Sequence, residues 1–184
     1  MSAPRIELVS TDGIFALDGG EWAVTNNIWL VGDDREVVVI DAAHDHAPIV
    51  DAVAGRRVAA IACTHGHNDH INAAAALADG EVLVAAGAEL AVLHTPGHSP
   101  GCCCFLAPGA GDGGADVLFS GDTLFCGGPG ATGRSHSDFP TIIASIRRRL
   151  LTLPPQTVVH TGHGESTTVG DEAPHLEEWL ARGH

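Results

Sequence analysis

Four times along this chain an apolar run breaks off at a glycine-flanked turn carrying histidine or aspartate. The densest turn is His65-Gly66-His67-Asn68-Asp69-His70, three imidazoles and one carboxylate directly after the apolar run 58–63. His98 follows in Thr95-Pro96-Gly97-His98-Ser99-Pro100-Gly101, just after a run that ends at His94. Asp122 follows the run 117–120, in Ser120-Gly121-Asp122-Thr123. His163 follows the run 157–160, in His160-Thr161-Gly162-His163-Gly164. Glycine lets backbone approach closely and adopt unusual dihedrals. Loops at strand ends of a rigid scaffold are the common home of functional residues. A polar loop of solvated histidines would account for one such turn, not four.

Within the first turn, an extended backbone projects His65 and His67 to one side, with Asp69 and His70 on the next turn. One ion could take His65 and His67, and a second could take Asp69 and His70. Borderline metals such as zinc prefer imidazole and carboxylate donors, and such a set accepts several ions.

Composition narrows the alternatives. Nine Lys+Arg against 23 Asp+Glu give a net charge of −14, which argues against nucleic acid because phosphate neutralisation needs a basic face. All nine basic residues are arginine, so lysine Schiff-base chemistry is out. The counts of 12 His and 23 Gly suit side chains converging on a metal from tight loops. With 45% hydrophobic residues in 184, a core and a single domain over 1–184 are expected. The most apolar stretch, 82–93, is interrupted by Glu89 and is too short to span a membrane. Residues 1–7 show no apolar secretory leader. The 5 Cys include Cys102, Cys103 and Cys104 in a row, which alternate faces in a strand and form no disulfide framework. A reduced, cytoplasmic chain is the expectation.

Periodicity predicts antiparallel strands over 6–9, 15–17, 22–31 and 36–40, with a hairpin turn at 32–35. A helix is predicted over 47–54, starting near Asp45 or His46 and ended by Gly55. A strand over 58–63 and a helix over 72–77 follow. Further strands are expected over 82–85, 90–94, 102–106, 117–120 and 157–160, and helices over 137–151 and 172–182. Strand runs with helices between them indicate layered α and β.

The string His65-x-His67-x-Asp69-His70, followed by His98, Asp122 and His163, resembles the metallo-β-lactamase superfamily. Thr95-Pro96-Gly97-His98, Ser120-Gly121-Asp122-Thr123-Leu124-Phe125 and Gly162-His163-Gly164 are similar to its glyoxalase-II-like hydrolases. The resemblance implies an α/β fold, a four-layer αββα sandwich with the site at one edge of two sheets. By position, His65, His67 and His98 would hold a first metal, Asp69, His70 and His163 a second, and Asp122 would bridge them. Asp41 would orient a ligand histidine from behind. Two divalent ions are implied, zinc first, with iron or manganese compatible. The implied reaction is hydrolysis of a thioester by a metal-bridging hydroxide attacking the carbonyl, with Asp69 and Asp122 as its catalytic carboxylates. A thiolate leaves with little protonation, which suits thioesters better than amides. The alternatives are a mononuclear iron persulfide dioxygenase and a lactone or ester hydrolase. The expected partner is a small-molecule thiol ester, without nucleic acid or membrane, for a monomer or homodimer.

Two departures matter. Glutathione-specific members carry a basic C-terminal helical region, whereas this chain ends soon after Trp179 and has no lysine. Segments 127–140 and 172–179 resemble an actinobacterial group associated with mycothiol, which implies a mycothiol thioester. The interval from His70 to His98 is 28 positions, shorter than the family's usual strand and substrate-side loop require. Either that loop is absent or the chain breaks between Ala74 and Gly80.

Other conspicuous residues have plainer readings. Cys63 and Cys102, Cys103 and Cys104 read as small packing residues, and Cys126 as a thiol near the site. His44 and His46 read as surface or pocket wall, and His160 as packing. Arg134 and His136 face the site and are candidate substrate contacts. Trp22, Trp29 and Trp179 read as packing, and Arg147, Arg148 and Arg149 as a solvated helix face.

Overall fold

The computed structural model describes residues 4–67, 69–70, 82–85 and 88–183. The helix expected over 72–77 and the chain break expected between Ala74 and Gly80 lie outside the described residues.

A first sheet has the order β1-β2-β3-β4, built from Arg5–Leu17, Gly20–Gly32, Glu36–Ile40 and Arg57–Ala62. β1 to β3 are antiparallel neighbours, and β4 joins β3 in parallel after the helix α1, His46–Val53. The second sheet is formed by β5 (Val82–Ala85), β6 (Ala88–His94), β7 (Cys103–Ala107), β8 (Val117–Gly121), β11 (Val158–Thr161) and β12 (Thr167–Thr168). Its order is β12-β11-β8-β7-β6-β5. A small ribbon, β9 (Leu124–Phe125) with β10 (Gly128–Pro129), stands beside it.

Strict two-residue alternation explains why the sheets stack. On β2 and β3, Trp29, Val31, Val38 and Ile40 face inward and meet Val92, Phe105, Val117 and Phe119 of the second sheet. Their alternates, Ile28, Leu30, Val37 and Val39, face outward under Ile49 and Val53 of α1. On the far side, Cys104, Leu118 and Val159 face outward under α2 (Phe139–Ser145) and α4 (Leu176–Arg182). Ile142, Ile146, Leu150 and Trp179 complete that third core. The result is the expected αββα sandwich, with roughly 1.5–3 kcal/mol of transfer free energy for each large side chain it fully buries. Cys103 turns into the central core and Cys104 into the outer one, so the consecutive cysteines pack as small apolar residues.

Local signals set the helix ends. Asp45 caps α1, its carboxylate accepting from the Ala47 amide at 3.0 Å. Asp138 caps α2 in the same way through Thr141, at 2.8 Å. Three expectations need correction. The two short strands expected over 6–9 and 15–17 are one strand, because pairing with β2 runs unbroken through the polar stretch around Asp12 and Gly13. The helix expected over 137–151 starts at Phe139 and widens into a π-helical turn at Ile146–Leu150. The last helix is divided into α3 (Val169–Glu172), a 3-10 turn at Ala173–His175, and α4, because Pro174 cannot continue the hydrogen-bond ladder. Among the described residues, no helix is long and apolar enough to cross a membrane.

Candidate metal centre

The loops that leave β4, β6, β8 and β11 all open at one edge of the sandwich. Backbone bonds pin them there across the two sheets. The Cys103 amide donates to the Thr64 carbonyl at 2.8 Å, and the Asn27 amide donates to the Gly162 carbonyl at 2.8 Å. Asn27 Nδ2 adds bonds to the carbonyls of Thr161 and Gly164, and Trp29 Nε1 another to Thr161.

All seven histidines and aspartates singled out in the sequence meet at this edge. His67 Nδ1 lies 3.1 Å from both His65 Nε2 and His98 Nε2. Beside them, His70 Nε2 lies 3.3 Å from His163 Nε2 and 3.6 Å from Asp69 Oδ2. Asp122 stands between the two groups, with Oδ2 at 3.6 Å from His98 Nε2 and 3.4 Å from His163 Nε2, and Oδ1 at 3.5 Å from His70 Nε2. Three overlapping donor sets are therefore compact enough to hold an ion: His65 with His67 and His98, Asp69 with His70 and His163, and His65 with His70 and Asp122.

The outer nitrogen of four of these rings is already engaged, which assigns the tautomers. His98 Nδ1 donates to the Ala131 carbonyl and His163 Nδ1 to the Thr25 carbonyl, both at 2.8 Å. His70 Nδ1 meets Asp41 Oδ2 at 2.9 Å. His65 Nδ1 faces the Thr64 hydroxyl at 3.0 Å, and that hydroxyl donates to Asp41 Oδ2 at 2.8 Å. Lone pairs are thus turned inward on one another. His67 Nδ1 carries at most one proton and cannot satisfy both facing nitrogens. Asp69 Oδ1 and Asp122 Oδ1 are buried without a hydrogen-bond partner among the described residues. Buried orphan acceptors of this kind are costly unless a cation joins them.

The electrostatics agree. Burial holds His65 well below its usual range and pulls His67 down to about 4, keeping both as neutral donors. Burial also opposes charge on His70, but the carboxylates of Asp122 and Asp41 outweigh it and push that ring up to about 9. The carboxylates demand positive charge at that spot, which a divalent ion would supply. The close packing leaves no room for a side chain at 162: a Cβ on Gly162 would fall 2.4 Å from Asp122 Oδ1.

A pocket opens over this cluster, walled by Phe15, Leu17 and Val24 of the β1–β2 hairpin and by Ala131, Arg134, Ser135 and Ser137 opposite. The hairpin tip is tied across it by a 3.0 Å bond from the Ser135 amide to Asp18 Oδ2. The Arg134 guanidinium lies over the Trp22 ring at 3.9 Å and over Phe15 at 5.0 Å. Trp22 lies on β2 beside Phe15 but is 40% exposed rather than packed away, whereas Trp29 and Trp179 are buried as expected. His136 is exposed at φ 68 and is not among the residues lining this pocket. Cys126 is exposed and also lies outside that lining. His160 packs as expected, stacked on Trp29 with centroids 3.9 Å apart.

One residue, Asn26, escaped the sequence reading, and another, His44, was read only as surface or pocket wall. Asn26 is fully buried against Asp69 and His70, and His44 reaches it through the ring nitrogen Nε2. An asparagine inside an apolar strand was the available signal for the first.

The sequence profile of the metallo-beta-lactamase superfamily matches residues 22–88 and 78–163. The chain belongs to the metallo-beta-lactamase superfamily. That places it among metallo-hydrolases as a class. The two matched pieces meet inside the interval between His70 and His98 that is short in sequence. An uncharacterised 11.5 kDa protein of Rhodococcus erythropolis is 45% identical over 73% of this chain and 91% of its own length. A hydroxyacylglutathione hydrolase, GloC, of Haemophilus influenzae is 40% identical over 51% of this chain and 42% of its own length. Among solved structures, TTHA1623 in a di-iron-bound form is 30% identical with a TM-score of 0.67, covering 82% of this chain and 93% of that one.

Proposed function

We propose that this protein is a two-metal hydrolase of thioesters. The observation that carries the reading is the pair of buried carboxylate oxygens on Asp69 and Asp122 that have no hydrogen-bond partner among the described residues, in side chains that line one pocket with the imidazoles of His67, His98 and His163. In this reading His65, His67 and His98 hold one ion, Asp69, His70 and His163 hold the other, and Asp122 serves both. When bound, such ions bring the pKa of water toward neutrality and polarise a carbonyl.

The chain's own residues supply the rest. Phe15, Leu17 and Val24 exclude water and receive the acyl group. Asp69 and Asp122 set the direction of attack at the pocket floor. Arg134 borders the mouth, where the thiol carrier would lie. The aspartates and histidines of the described pocket lining, Asp69, Asp122, His67, His98 and His163, all belong to the donor clusters, and a thiolate leaves with little protonation. The likeness to a named hydroxyacylglutathione hydrolase supports thioester chemistry over half of this chain. The missing lysines, and the resemblance of 127–140 and 172–179 to a mycothiol-associated group, favour a mycothiol conjugate over glutathione.

The test pairs elemental analysis with a thioester panel that includes glutathione and mycothiol conjugates. Two zinc ions per chain and loss of hydrolysis on chelation, restored by zinc, are expected. Chelation is also expected to lower the melting temperature, because an ion held only by the folded chain stabilises it. Full hydrolysis by metal-free protein overturns the proposal, and one iron with oxygen uptake on a persulfide replaces it with the dioxygenase reading.

A further inference from the structure

Three unusual features converge on one amide beside the second donor cluster. Asn26 on β2 is fully buried. His44 is a non-glycine residue held in the left-handed region, with φ 49, a conformation that persists only where its surroundings impose it. Gly13 on β1 faces the His44 ring so closely that a Cβ there would fall 2.1 Å from Nδ1. Any larger residue at 13 would displace the imidazole.

Together they produce a hydrogen bond of 2.8 Å from His44 Nε2 to Asn26 Oδ1. With its oxygen engaged, the amide can turn only its NH2 group toward the metal centre. That group donates to the Asp69 carbonyl at 2.9 Å and lies 3.4 Å from Asp69 Oδ2 and 3.0 Å from His70 Nε2. It therefore touches two of the three donors of the Asp69, His70 and His163 set. Its described bonds reach none of His65, His67 and His98.

We propose that Asn26, oriented by His44, is the positioning residue of the second metal position and sets the affinity there independently of the first. The assignment rests on the two-metal reading above. Asn26 holds the loop at Asp69 by its carbonyl and takes up one side of the carboxylate. Asp69 Oδ2 is the oxygen that faces His70 and His163, and Oδ1 has no hydrogen-bond partner among the described residues. His44 acts one step further out, by preventing the amide from rotating its oxygen toward Asp69, where it would repel the carboxylate.

The test is stepwise zinc binding by the purified metal-free protein against a chromophoric chelator, with zinc per chain measured independently. Wild type should take two ions. Asn26→Ala should keep the first step and weaken the second by about tenfold to a hundredfold, the usual range for losing a residue that supports a ligand. His44→Gly suits the left-handed backbone while removing the donor. It should weaken the same step in the same direction. The readout is the ratio of the two affinities, which a general loss of stability does not move. A folded variant with both steps unchanged, or with both weakened alike, overturns the proposal. If Asn26→Ala does not fold, His44→Gly decides alone. A wild type that takes fewer than two ions overturns the two-metal reading and this assignment with it, whereas failure in the variants alone overturns only the assignment.

Discussion

Asp41 Oδ2 lies 2.9 Å from His70 Nδ1 and also accepts the Thr64 hydroxyl, which faces His65 Nδ1 in turn. One carboxylate thus orients a histidine of each donor cluster, directly on one side and through a hydroxyl on the other. Asp41→Ala should weaken both zinc affinities by about tenfold to a hundredfold. Zinc retained per chain after dialysis against a weak chelator measures this. The joint loss contrasts with the single-site loss expected from Asn26→Ala.

Gly162 gives a steric prediction. An added methyl would meet Asp122 Oδ1 at 2.4 Å and His70 Cε1 at 3.0 Å. Gly162→Ala should push Asp122 off its position and lower kcat/KM by on the order of a hundredfold, the cost of misplacing a reacting geometry by about 1 Å. Its circular dichroism spectrum should match wild type, since 162 lies in a loop beyond β11. Wild-type turnover in a folded Gly162→Ala variant would show that Asp122 is free to move.

His160 sets a pH dependence that can be read without metal. Burial against Trp29 pulls its pKa from 6.5 down to about 4. The unfolded chain therefore takes up a proton near 6.5 while the folded chain does not. Stability from this ring is complete above pH 6.5 and is lost as pH falls toward 4. His160→Phe keeps an aromatic ring against Trp29 and cannot titrate. Thermal melts of metal-free protein between pH 7 and 4.5 should fall less steeply for the variant. Parallel curves would refute the assignment.

Arg134 bears on substrate binding. Its guanidinium is stacked on Trp22 and Phe15, and it lines the same pocket as the donor clusters without belonging to any donor set. Arg134→Gln should raise KM for a preferred thioester by about tenfold with kcat within a few fold, the pattern of binding lost equally in ground and transition states. Steady-state kinetics with one carrier and varied acyl groups would separate carrier recognition from acyl recognition. A fall in kcat with KM unchanged would place Arg134 in the chemical step instead.

Much of this architecture was legible because the physics is local. The runs at 36–40 and 117–120 are apolar on both faces, so each had to lie between two layers, and their ends had to carry the polar turns. The consecutive cysteines read correctly because a strand must send Cys103 and Cys104 opposite ways. What stayed hidden depended on partners remote in sequence. The polar stretch around Asp12 and Gly13 reads as a turn, and only register with β2 holds it extended. Asn26 and His44 become a unit only when β2 and the loop before α1 are brought together. Apolar periodicity carried the last helix through Pro174, although the chain breaks step there.

The donor clusters draw on both sheets: His65, His67, Asp69 and His70 hang from the first, His98, Asp122 and His163 from the second. Bound cations would therefore act as rivets through the sandwich, and shear of one sheet over the other would be resisted most strongly at that rim. The opposite rim, where Pro4 and Arg5 border an open groove with Gln156 and Val158, has no such fastening among its described residues. Strain between the layers should be released there first.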